Sequence, residues 1–264
     1  SDTVGDVQIT AMHYVGLDLT VGNTSTIDLL AGDLLLSVAH NSATFEDSYA
    51  ATVSVGREDV FVLRPDRSGN YQSGSLFLLF ADVPGGGENL TSMTLVEETT
   101  DVGTGGGKRT LDPGTLLYSR QGFLQQNNIY IFEPDEVGTT TTGNRGELLV
   151  DGDSISLGAT GGSGVAISGL SLLESDVTVD GVPLNAGTIL VTLDNTEAAV
   201  GTIGATAAGD TGDIFAISVS NSGAGTTAEA TLLYDVSDIC LNTSTERIDS
   251  FSVLIVLAAA KKDP

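Results

Sequence analysis

Five aspartates stand where a hard cation could find oxygen: Asp82 in "FADV", Asp151 and Asp153 in "VDGDS", and Asp235 and Asp238 in "YDVSD". Calcium takes several oxygens from carboxylates and turn carbonyls, and each of these acidic turns closes an apolar run of similar pattern. A repeated calcium site is therefore one expectation. The plainer one is a bend, because Asp and Gly turn the chain well without any ion. No EF-hand spacing and no nonapeptide Asp repeat occurs. Calcium is thus the one small partner the residues suggest, and no other cofactor is expected.

Other constellations are weaker. "GTGGGKRT" at Gly103–Thr110 looks like a phosphate loop, but Arg109 follows Lys108 where Ser or Thr is needed. No helix is expected after it, so no N-terminal dipole would meet a phosphate, and it reads as a turn. Imidazole chemistry could come only from His13 and His40. His13 occupies a place held by Thr94, Ser171 and Ser252 in similar phrases, so a partly exposed structural role is expected. Neither histidine lies in a nucleophile motif. Carboxylate pairs are abundant without showing glycosidase geometry, and the absence of Trp removes the usual sugar-stacking ring. Cys240, the single cysteine, permits no internal disulfide and reads as a small buried residue. Asn23, Asn89 and Asn242 head Asn-x-Ser/Thr sequons of the kind a Ser/Thr-rich chain carries by chance.

The elements that must position these residues are strands. The chain of 264 residues carries 33 glycines and short apolar runs separated by Ser, Thr, Asn and Asp, without long helical periodicity. Its 35 acidic and 10 basic residues give a formal charge of −25. Such a surface repels nucleic acid and anionic membrane. "FSVLIVLAAAKKDP" at Phe251–Pro264 is too short in apolar residues to cross a bilayer as a helix, so no transmembrane segment is expected. The opening "SDTVGDVQ" is polar, lacks a basic n-region and is expected to be an end left by processing.

Four phrases recur in order. "GDLLLSV" returns as "GTLLYSR" and "GTILVTL"; "DVFVL" as "NIYIF" and "DIFAI"; "SLFLLFADV" as "GELLVDGD" and "ATLLYDVS". A fourth phrase, "ITAMHYV", returns as "LTSMTLV", "ISGLSLL" and "IDSFSVL", at intervals of about 80 residues. The expected fold is all-β: three tandem repeats of four or more antiparallel strands each, as sandwich-like modules or propeller-like blades. Units at 16–98, 99–175 and 176–264 follow an extra N-terminal strand at 1–15. "SATFEDSYAATVSVG" and "AAVGTIGATAAGDTG" are expected to add a hairpin to the first and third units. In the N-terminal strand, alternation puts Val7, Ile9, Ala11 and His13 on one face and Gln8, Thr10, Met12 and Tyr14 on the other. Its expected role is to seal sheet edges within the chain, with donation to another molecule as the second option.

The strand–loop–strand segments "EDVFVLRPDRSGNYQSGSLFLLFADV" and "NIYIFEPDEVGTTTTGNRGELLVDGD" resemble repeats of large exported bacterial surface proteins. Those repeats have a strand ending Phe-x-Pro, a Gly/Thr loop, and a strand ending in an Asp-Gly-like turn. Leu63, Pro65, Gly69, Phe80 and Asp82 carry the pattern in one unit, and Phe132, Pro134, Gly138, Val150, Asp151 and Gly152 in the next. The third unit has lost the Pro and keeps Asp235. The resemblance covers about half of each unit and implies export and a cell-surface or extracellular location; it supplies no catalytic residues. The expected function is a non-enzymatic structural or adhesive subunit of an extracellular assembly built by strand pairing. It would self-associate or bind other surface proteins through Val7, Ile9, Met12, Tyr14, Phe251, Val253 and Ile255. The alternative is a β module binding a glycan or cell-surface ligand, stabilised by calcium; Tyr71 is its one loop aromatic.

Overall fold

The computed structural model describes residues 7–83, 88–121, 126–157, 165–202, 207–239 and 251, and in them the chain is all-β. The first stretch holds β1 (Ile9–Tyr14), β2 (Leu19–Val21), β3 (Ile27–Leu29), β4 (Leu34–Val38), β5 (Ala43–Glu46), β6 (Thr52–Val55), β7 (Val60–Arg67) and β8 (Asn70–Phe80). Next come β9 (Leu90–Leu95), β10 (Thr100–Val102), β11 (Arg109–Leu111), β12 (Leu116–Arg120), β13 (Ile129–Glu136) and β14 (Thr142–Val150). The last are β15 (Ile167–Leu172), β16 (Val177–Val179), β17 (Val182–Leu184), β18 (Ile189–Leu193), β19 (Glu197–Val200), β20 (Ala207–Gly209), β21 (Ile214–Asn221) and β22 (Thr227–Tyr234).

Three four-stranded antiparallel sheets result, with the orders β1-β4-β7-β8, β9-β12-β13-β14 and β15-β18-β21-β22. Each is a meander in which every recurring phrase supplies one strand, led by the "ITAMHYV" type. The glycine that opens each second-strand phrase has a physical cause. Gly32, Gly114 and Gly187 sit at φ +103°, +88° and +84°, where a side chain is strained. Their N–H groups donate to the carbonyls of Val15, Val96 and Leu173 at 2.8, 2.8 and 2.7 Å, closing the connection from the leading strand.

The sheets stack face to face. Ala11, Val15, Leu35 and Val62 of the first, with Leu29 of the β2–β3 hairpin, meet Met93, Leu95, Leu116 and Phe132 of the second. Phe80 and Phe132 meet edge to face, with ring centroids 5.2 Å apart. On its other side the second sheet packs Val96, Leu111, Leu117 and Ile131 against Leu170, Leu172, Phe215 and Ile217 of the third. The hairpin β5–β6 covers the far face of the first sheet through Ala43, Val53 and Val55. The far face of the third holds Leu173, Leu184, Leu190 and Ala216, with Phe251 packed on them. The leading strands β1, β9 and β15 run against one another along the inner side of the stack, as the inner strands of propeller blades do.

The hairpins β5–β6 and β19–β20 lie in the two segments where extra hairpins are expected. The small hairpins β2–β3, β10–β11 and β16–β17 were not foreseen. Three residues are too few to show alternation.

The N-terminal phrase is not an extra strand. β1 pairs antiparallel with β4 (Met12 opposite Leu36, Tyr14 opposite Leu34) and so heads the first sheet. Its alternation also differs from expectation. The register slips between Ile9 and Ala11, and one inserted residue exchanges the two faces. Val7 and Met12 therefore share the face packed with β5–β6, while Ala11 and Val15 face the second sheet. Ile9 is left 52% exposed. Val253, Ile255 and Cys240 lie outside the described residues.

Candidate functional site

The three leading strands begin alike. The carbonyl of Gln8 accepts from Ala39 N–H at 2.9 Å, that of Asn89 from Gln121 N–H at 2.8 Å, and that of Ala166 from Asp194 N–H at 3.0 Å. Two residues further on, each strand bulges, leaving Thr10, Thr91 and Ser168 without a partner across the ladder. A bulge bends the strand and re-aims the side chain it carries. Where the three starts converge they enclose a pocket of about 210 Å³. It is lined by these three hydroxyl residues, by Gln8, Asn89, Gln121, Gln126 and Asp194, and by Ile9, Ala39, Ala166 and Ile167.

The wall is polar and nearly uncharged. Asn89 Nδ2 donates to Gln121 Oε1 at 2.9 Å. Ser168 and Thr192 share a hydroxyl–hydroxyl bond at 3.1 Å. Asp194, the only ionisable lining group among the described residues, accepts the Ala166 N–H on Oδ1 at 2.7 Å. Thr10 Oγ1, Thr91 Oγ1 and Asn89 Oδ1 are buried with no partner among the described residues, a costly state for a polar atom. Sequence reasoning missed this pocket. Its trace is the second residue of each described copy of the phrase, a hydroxyl in "IT", "LT" and "IS".

The other end of the leading strands carries a carboxylate clasp. Glu97 accepts the Gly16 N–H on both oxygens, at 2.8 and 2.9 Å, and the Leu17 N–H at 2.6 Å. Its Oε1 also lies 3.0 Å from His13 Nε2. One sheet later Glu174 repeats the move, taking the Glu97 N–H at 2.5 Å. Gly16, Glu97 and Glu174 hold the same place in successive phrases. Burial pushes Glu174 up to about 7, and the nearby Glu97 and Glu98 charges add to this, against the backbone N–H groups of the same two residues.

A His–carboxylate pair is a possible acid–base couple, but this one is a structural fastening. His13 is only 6% exposed, and Thr94 Oγ1 lies 3.3 Å from its other ring nitrogen. The expectation of a partly exposed His13 is thereby corrected: its threonine counterpart in the next sheet packs against it. His40 is exposed, and its Nδ1 accepts the Ser42 N–H at 3.2 Å.

The five aspartates remain at separate turns after β8, β14 and β22. Asp82, at φ +54°, receives Arg145 on its backbone oxygen and gives its own N–H to Asp59 at 2.9 Å. A hydrogen bond to the Asp82 carboxyl, together with burial, pushes Glu58 up to about 7. Asp151 Oδ2 accepts from the Ser154 hydroxyl at 2.7 Å and the Gly225 N–H at 3.2 Å. Asp153 Oδ1 accepts from Asn127 at 2.8 Å. Asp235 Oδ1 accepts the Ser237 hydroxyl at 2.6 Å, and its carbonyl takes the Asp238 N–H at 3.2 Å. Among the described residues no three His, Cys, Asp or Glu side chains gather into a metal-holding group. Also among them, no helix is long and apolar enough to cross a membrane.

"GTGGGKRT" joins β10 to β11 and clasps the third sheet. Ser222 N–H and its hydroxyl donate to the Gly107 carbonyl at 3.0 and 2.8 Å. Its cations face carboxylates: Lys108 meets Asp101 at 2.8 Å, and Arg109 meets Glu133 at 2.6 Å and Glu147 at 3.1 Å. Tyr71 is 37% exposed and donates its hydroxyl to the Gly32 carbonyl at 3.1 Å. No protein-family model, curated protein or solved structure matches the chain.

Proposed function

We propose that this is an exported, non-enzymatic structural or adhesive protein that works as part of an extracellular or cell-surface assembly. The observation that carries the reading is a sheet-to-sheet interface used twice and begun a third time. Met93 and Leu170 hold one position of the recurring phrase, and each packs onto the face of the preceding sheet. Phe251 holds that position in the last phrase and packs onto the third sheet. There it meets Leu173, Leu184, Leu190 and Ala216, the counterparts of Val96, Leu111, Leu117 and Ile131 in the second sheet. A surface of this kind accepts further β structure by burying apolar area, at about 25 cal/mol per Å². The acidic surface keeps such an array soluble.

The test is the molar mass of the full chain by light scattering over a wide concentration range, with calcium and with chelator. Mass that rises with concentration, and falls back in Phe251→Asp, supports the assembly reading. A constant monomer mass up to about 100 μM, well above typical dissociation constants for stable interfaces, refutes it. A mass that changes only when calcium is removed places the five acidic turns back among the metal candidates.

A further inference from the structure

At the pocket where β1, β9 and β15 converge, one backbone bond links two units, Ile167 N–H to the Gln126 carbonyl at 3.1 Å. Hydrogen bonds within each sheet already hold the strand starts, and the stacking cores lie further along the strands. Its shape comes from three bulges in equivalent places, each presenting a hydroxyl residue. A fold needing only a filled axis would place aliphatic side chains there, as Leu95 and Leu172 do further along β9 and β15. Instead the wall offers the exposed amides of Gln8 and Gln121, which both donate and accept. Ile9, Ile167, Ala39 and Ala166 add apolar surface between them.

We propose that this pocket binds a small, neutral, polyhydroxylated ligand: a single sugar ring or a polyol of similar size. Each element of the wall selects for that chemistry. Anions are disfavoured by the net charge of −25, and no Lys, Arg or His stands among the described lining residues. Metal cations would meet one carboxylate, already bonded to the Ala166 N–H. An apolar ligand would strip water from the exposed amides of Gln8 and Gln121 without replacing its hydrogen bonds. A ligand rich in hydroxyls supplies both donors and acceptors, and its C–H face lies on Ile9, the most exposed apolar side chain of the lining. The volume of about 210 Å³ suits a single ring. This goes beyond the assembly reading and stands or falls apart from it, because binding at the axis leaves the outer sheet faces untouched.

Saturation-transfer NMR on the full chain tests it, with glucose, galactose, mannose, N-acetylglucosamine and glycerol as probes and calcium chloride as the competing cation. At least one probe is expected to receive saturation, with Kd on the order of 1 mM. Gln8→Leu removes one exposed amide of the lining; Gln121→Leu removes a second, which also accepts from Asn89 Nδ2 at 2.9 Å. Each is expected to weaken binding about tenfold, the worth of one lost hydrogen bond. The calcium arm is expected to show no competition. The inference is overturned by absence of saturation transfer from every probe at concentrations of about ten times that Kd. Equal transfer in wild type and Gln121→Leu, or displacement of the sugar by calcium, overturns it as well.

Discussion

Replacing Glu174 with Gln removes a charge from the clasp while keeping an oxygen for the Glu97 N–H. The carboxyl has an ordinary value of 4.5 and stands at about 7 in the folded chain, chiefly because burial disfavours its charged form. Between these values the folded state binds more protons than the unfolded one, so this group's contribution to stability falls as pH rises. The loss begins near the unfolded value and is complete above about 7. A shift of this size corresponds to roughly 3 kcal/mol, and partial solvent screening reduces it to about 2 kcal/mol. Wild type and Glu174→Gln should therefore match near pH 4.5 and separate by about 2 kcal/mol at pH 8, with the variant more stable. Urea unfolding followed by far-UV circular dichroism at several pH values measures this. Glu58, also raised to about 7, titrates in the same window in both proteins and cancels in the difference. Parallel pH profiles, or a variant less stable at pH 8, would refute the account of Glu174 as a buried and strained link.

Two further substitutions probe fastenings elsewhere in the stack. A Cβ on Gly107 would fall 2.1 Å from Asn221 Oδ1 and 2.8 Å from Asn221 Cα. Gly107→Ala should cost about 1–3 kcal/mol, while Gly106→Ala, with open space around it, should lower the melting temperature far less. Arg64→Met leaves the carboxylate of Asp33, 1% exposed, without the guanidinium now 2.7 Å away. Denaturant titration should show a loss of about 3–5 kcal/mol, largely recovered when Asp33→Leu is added.

Much of the architecture was legible in the order of four apolar phrases, because each phrase is one strand and polar turns mark its ends. The place of "ITAMHYV" was not. Its pairing with "GDLLLSV" depends on long-range register, which no local pattern states. The bulge at Thr10 was equally hidden, since one inserted residue undoes the alternation used to assign faces. The acidic turns drew attention through composition, yet their carboxylates bond to nearby hydroxyls and N–H groups, as Asp235 does with Ser237. Glu97 and Glu174 drew none. A glutamate just past a strand looks like solvated surface until the next sheet is laid on top. The hydroxyl in second position of the leading phrase was visible, but only convergence of three strand starts makes it part of a pocket.

The clasp also has a direction. Gly16 and Leu17 receive their carboxylate from a residue 81 and 80 positions later, and Glu97 receives its own from one 77 positions later. A chain emerging N-terminus first therefore completes one sheet, leaves its exit uncapped, and closes it only when the next leading strand arrives. The first two sheets are each finished by their successor. Folding that advances this way keeps a single unfinished boundary at the growing end and matches each sheet with its sequence neighbour before any other partner is made. The similar leading strands β1, β9 and β15 could otherwise exchange with one another, and an order set by synthesis would tell them apart.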